Sequence, residues 1–125
     1  MNGPLGGMPP AEQLMTVARD DQRGCLVVVV QGEVDLGTGG RLMEATAEAL
    51  QQAAGRPVVL DLSAVGFVSS SGLGQLVALH EEGQRTGTPV RVVVDRSGPA
   101  MRPIRTMGLD GVLSLFDTLD EALTA

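Results

Sequence analysis

The sequence predicts an α/β domain built on a central, mixed but mostly parallel sheet of about five strands, with about four helices. Three observations carry that expectation. Strand-like and helix-like segments alternate from Glu12 onward, with short connections between them. The apolar run 26–30 lacks in-and-out alternation, which suits a strand covered on both faces, and residues 57–62 supply a second buried strand. Between and after them, apolar residues recur at the spacing of one helical face. Strands separated by helices imply parallel pairing through crossover connections.

Residues 1–11 read as a disordered tail, because the first ten hold three Gly and three Pro without periodicity. Residues 12–125 form the domain. Residues 14–18 are an edge-strand candidate, and residues 20–24 a turn. The buried strand 26–30 follows, and then a helix over 38–53. Leu42, Thr46, Ala49, Leu50 and Ala53 share one face of it, and Gly55 stops it. Residues 57–62 supply the next buried strand. A second helix runs from Ser70 to about Gln84, with Leu73, Leu76, Val77 and His80 facing inward and Gly83 and Gly87 bracketing its end. Residues 90–94 form a strand. Ser97, Gly98 and Pro99 look like a helix start, but Pro103 would clash with the carbonyl four residues back in a regular helix. That helix begins late or is kinked, and Gly108 ends it. Residues 112–116 make a short strand, and Asp117 caps a terminal helix reaching Leu123.

A chain of 125 residues suits a single domain. Hydrophobic residues make up 43% and aromatics only 2%, with no Trp or Tyr. The core is therefore aliphatic, and the stacking rings used by single-strand nucleic-acid binders are missing. A net charge of −6 disfavours nucleic-acid phosphates and anionic membranes, and it suits a partner with a basic patch. The single cysteine, Cys25, opens an apolar run and reads as a small buried hydrophobe. No run approaches the roughly 18 apolar residues of a membrane span. No signal-peptide pattern opens the chain, so the cytoplasm is the expected location.

Residues 58–74, VVLDLSAVGFVSSSGLG, carry the functional signal. A buried strand gives way to a polar loop, and Ser69, Ser70 and Ser71 meet the start of a helix. Helix N-terminal amides lack internal partners, and the dipole there favours negative charge. A phosphate on one of these serines would add about two negative charges without unfolding the helix. Gly72 and Gly74 would leave the backbone beside the serines open to a docking partner. Serine is also among the best helix N-caps, so capping alone accounts for one of the three.

Residues 61–74 closely resemble the signature of STAS domains in bacterial anti-sigma factor antagonists. Residues 30–36, VQGEVDL, resemble the Gly-Glu-hydrophobic-Asp element after that family's second strand. Residues 97–102 with Met107, Gly108 and Leu109 are similar to its late helix, and residues 116–123 to its terminal segment. The resemblance spans about residues 14–123. It implies the STAS fold and a non-enzymatic interaction switch without cofactor or metal, whose partner is an anti-sigma factor serine kinase. Unphosphorylated, such a protein binds the kinase and frees the sigma factor. The resemblance implies that Ser70 is the phosphoacceptor, with Ser69 and Ser71 as alternatives. Glu33, Asp35, Thr38, Ser69, Ser71, Gly72, Leu73 and Gly74 are the expected partner-binding residues, and a weak homodimer is left open. Ser69 stands where the family usually has Asp, and Pro103 is a second departure, in the late helix. A STAS subunit of a transport complex, or a stress-signalling scaffold, is the alternative reading.

Glu33, Asp35 and Asp61 are expected at strand ends converging near the serines, as solvated acids rather than metal ligands. His80 lies about 15 Å along the helix from Ser70, which excludes a serine–histidine hydrolase pairing. No phosphate-cradling glycine loop is present. Met101 and Met107 read as core filling, with an adaptable contact surface as the other use.

Overall fold

The structure, a computed structural model, describes residues 15–34 and 39–125. The expected tail and Leu14 lie outside them. A hairpin of β1 (Met15–Gln22) and β2 (Cys25–Val34) leads to α1 (Gly39–Ala53), β3 (Val58–Val68) and α2 (Ser70–Thr86). Then come β4 (Val90–Val93), α3 (Met101–Thr106), a single 3-10 turn (Leu109–Gly111), β5 (Leu115–Phe116) and α4 (Leu119–Thr124). The five strands stand side by side in chain order, with β1 antiparallel and the rest parallel. This is the mixed, mostly parallel sheet with four helices that the alternation predicts.

The hairpin is tighter than expected. Only Arg23 and Gly24 form its turn, both at positive φ (50° and 77°). Two left-handed residues in sequence match the twist of paired strands, so β1 continues through Gln22. Asp20 and Asp21 are thus strand residues, exposed on an edge where charge discourages further pairing.

The sheet separates two unequal cores. On one face, Leu26, Val28 and Val30 of β2 and Val58, Leu60 and Leu62 of β3 pack beneath α1, α2 and α3. On the other, Cys25, Val27, Val59 and Val93 are covered by Ala122 and Leu123 of α4. Alternate residues of each run therefore serve opposite cores, which is why the runs are apolar on both faces except at Asp61. Cys25 is buried as expected, its thiol near the Leu123 carbonyl.

The strand after Pro57 is longer than its apolar run. β3 continues to Val68 because its pairing with β2 shifts twice, between Val29 and Gln31 and between Gly32 and Glu33. Each shift places an extra residue on β3, so Leu62, Val65 and Val68 are all buried at a three-residue spacing. The expected polar loop is strand up to Val68.

Inward positions of α1 match the expected face. On α2 the buried residues are Gly72, Leu73, Leu76, Leu79 and Gly83. His80 is only half-buried, so Leu79 takes the inward place assigned to it. α3 does begin late: Pro103 is its third residue, where a missing N–H breaks no helical bond. β5 is shorter than expected: the Val112 and Leu113 amides donate to the Leu109 carbonyl and close the 3-10 turn, so only Leu115 and Phe116 pair with β4. The cap of α4 is Thr118, whose hydroxyl accepts the Glu121 amide at 3.1 Å. Asp117 instead pairs with Arg96.

Candidate functional site

Two elements end together to build the site. The last register pair of the parallel β2–β3 ladder is Val34 with Val68. The next amide, that of Ser69, donates to the Val34 carbonyl at 2.8 Å and carries the ladder into the helix start. Ser69 has extended backbone angles (φ −76°, ψ 167°), and its hydroxyl accepts the Gly72 amide at 3.1 Å. It is the N-cap of α2, satisfying an amide that the helix cannot.

The three serines therefore have different environments. Ser69 is half-buried and engaged as the cap. Ser71 is half-buried, with its hydroxyl oxygen 3.0 Å from that of Ser69. Ser70, the first residue of α2, is exposed, and its hydroxyl makes no hydrogen bond among the described residues. One hydroxyl of the three points to solvent without a partner.

The two glycines do not share a role. A Cβ on Gly72 would stand 2.8 Å from Val34 Cγ1 and 3.2 Å from Val68 Cγ1. Gly72 is buried, and its bareness lets α2 sit down on the strand ends. Gly74 is exposed with open space around it, so it alone of the pair leaves surface free for a partner. Leu73, expected at the docking face, is 2% exposed and belongs chiefly to the core. It does reach the floor of the cavity described below.

Among the expected acids, Glu33 lies beside the site: it is exposed and in register with Phe67. Asp35 and Thr38 lie outside the described residues. Asp61 is not at a strand end. It is in register with Val29 and Val93 in mid-sheet, and its carboxylate accepts the Ser63 amide and hydroxyl at 3.0 and 2.6 Å. The two ladder shifts lengthen β3 beyond Asp61, so it does not converge with Glu33. Among the described residues no three His, Cys, Asp or Glu side chains cluster as a metal site. His80 borders a different cavity, with Gly83, Gln84, Pro89 and Arg91.

Sequence reasoning missed the groove beside Ser70. A cavity of about 410 Å³ opens there, walled by Phe67, Leu73, Pro99, Pro103 and Met107, with Ser70 and Arg102 among its lining residues. Phe67 is 49% and Met107 58% exposed, two of three large exposed hydrophobes among the described residues. Phe67 is also one of only two aromatics in the chain. An aromatic that neither strand period places in the core is the signal that could have flagged it. No helix among the described residues is long and apolar enough to cross a membrane.

Comparison with known proteins agrees with this architecture. The STAS domain family model matches residues 16–122. An anti-sigma-F factor antagonist of Mycobacterium tuberculosis, RsfB, is 42% identical over 117 residues, 91% of each chain. An anti-sigma F factor antagonist of Paenibacillus polymyxa is 28% identical over 110 residues, covering 88% of this chain and 93% of its own. The crystal structure of an anti-sigma factor antagonist from Mycobacterium paratuberculosis superposes with a TM-score of 0.77 at 40% identity. That match covers 88% of this chain and 92% of the other.

Proposed function

The chain belongs to the STAS domain family, and on that premise we propose that it is an anti-sigma factor antagonist switched by phosphorylation of Ser70. In this reading the unphosphorylated form binds an anti-sigma factor serine kinase and so releases the sigma factor. The observation that carries it is the division of labour among the serines. Ser69 holds the helix, Ser71 leans on Ser69, and Ser70 presents an exposed, unbonded hydroxyl at the helix start. A kinase can take that hydroxyl without dismantling the fold.

The chemistry asks little of this chain. The Ser70 oxygen attacks the γ-phosphorus of the kinase's ATP as the bond to the ADP oxygen breaks. The serine proton passes to a base on the kinase. The product carries about two negative charges at the centre of the docking face. A dianionic phosphate carried into an interface must be desolvated, at a cost of several kcal/mol per ion even where a counter-charge is near, enough to weaken binding at least about 100-fold. The docking face comprises Glu33, Ser70, Ser71, Gly74 and, beside them, the exposed apolar pair Phe67 and Met107.

A pull-down from native-host lysate with wild-type and Ser70→Asp baits tests the reading. Capture of an ATP-binding anti-sigma factor by the wild type, lost with Ser70→Asp, supports it. Capture of the same transporter or scaffold proteins by both baits refutes the switch and favours the alternative use of the fold.

A further inference from the structure

All nine basic residues of this chain are arginines, and most are already committed. Arg19, Arg23, Arg56, Arg85, Arg91 and Arg96 are each held by a hydrogen bond or ion pair, and Arg41 also has a partner. Among the described residues, Arg102 and Arg105 of α3 alone have neither. Arg102 lines the same cavity as Ser70 and is the only charged side chain among the residues walling it. The lining of one cavity thus includes an unbonded serine hydroxyl and an unpaired guanidinium, with Phe67, Leu73 and Pro103 among its apolar residues.

We propose that Arg102 is the counter-cation for a phosphate on Ser70, so that the modified side chain bridges from α2 to α3 across the cavity mouth. The inference rests on Ser70 being the modified residue. A guanidinium presents paired N–H donors that match phosphate oxygens. No rearrangement of the core is needed, because Arg102 is exposed and has no existing bond to break. The neighbouring cap, Ser69, is neutral and adds no repulsion. Glu33, in register with Phe67 on the neighbouring strand, carries a charge that works against the phosphate. Arg105, one turn along α3, does not line the cavity. The phosphate then lies across the groove rather than projecting into solvent, and it closes the groove's mouth as well as charging it.

The test installs phosphoserine at position 70 of the full chain during translation, so its result does not depend on any kinase acting there. Phosphorus NMR then follows the second phosphate ionisation in the otherwise wild-type chain and in Arg102→Gln, Arg102→Lys and Arg105→Gln. An ordinary phosphoserine titrates near about pH 6. The expected result is a midpoint lowered by about half to one unit in the otherwise wild-type chain. Arg102→Gln should return it to the ordinary value, Arg102→Lys should keep part of the lowering, and Arg105→Gln should leave it alone. Equal midpoints in the otherwise wild-type and Arg102→Gln chains, or a loss confined to Arg105→Gln, overturn the assignment. The unphosphorylated Arg102→Gln chain should melt at the wild-type temperature, which separates charge pairing from a folding defect. A kinase that never modifies Ser70 would sink the switch and leave this titration unaffected, so the two failures are distinguishable.

Discussion

The hydroxyl of Ser69 accepts the amide of Gly72 at 3.1 Å, and the residue between it and the rest of the first turn, Ser70, is left with its own hydroxyl unused. On the proposed reading, capping and switching fall to adjacent side chains. Ser69→Ala should destabilise the chain by about 1 kcal/mol through loss of the cap, measured by denaturant unfolding. Ser69→Asp should retain wild-type stability, because a carboxylate accepts the same amide and favours the helix N-terminus. Equal losses in both variants would contradict the capping role.

Gly72 and Gly74 make a paired prediction. Gly72→Ala forces a methyl against Val34 and Val68 and should cost about 1–3 kcal/mol. Gly74→Ala meets open space inside a helix and should gain about 0.5–1 kcal/mol. If Gly74 belongs to the docking face, that more stable variant should still bind the anti-sigma factor more weakly. Thermal melts and a binding titration on the same samples read both effects.

Phe67 is half-exposed on the last stretch of β3, beside Ser70. Phe67→Ser should change stability by no more than about 0.5 kcal/mol, as expected of an exposed site. Its effect should fall on the partner: roughly tenfold weaker binding, since an aromatic anchor is typically worth more than about 1 kcal/mol at an interface. Unchanged affinity would remove the groove from the docking face.

Terminal helix α4 is fastened from beneath. The Arg91 guanidinium donates to the Ala122 carbonyl at 2.9 Å, while Arg23 pairs with Asp120 at 2.6 Å in solvent. Arg91→Met should therefore raise hydrogen exchange across residues 119–124 and cost about 1 kcal/mol. Arg23→Met, removing an exposed pair, should cost less than that. The reverse order would mean that the surface pair is the real fastener.

Much of this was legible in the residues. Alternation of segments implied five strands in a mostly parallel order, and the inward face of α1 followed from helical spacing. Pro103 dictated a late start for α3 because a proline tolerates only the first turn. The rest was hidden for identifiable reasons. Two ladder shifts bury Leu62, Val65 and Val68 at a spacing of three, which matches neither strand nor helix period, so the end of β3 looked like loop. That same lengthening keeps Asp61 in mid-sheet, away from Glu33. Asp117 and Thr118 are both competent caps, and only the fold decides that Arg96 claims the first and leaves the second to α4. Gly72 and Gly74 are likewise identical in sequence, and only the nearness of Val34 gives one of them a steric reason. The serine cluster could be located from sequence, but which of its members caps the helix could not.

A phosphate on Ser70 is what should separate this chain from an anti-sigma factor. The most direct measurement is calorimetric titration of the purified anti-sigma factor with the chain carrying serine or phosphoserine at position 70. Tight binding by the serine form is expected, with at least about 100-fold weaker binding by the phosphoserine form. Equal affinity for the two forms would contradict the switch.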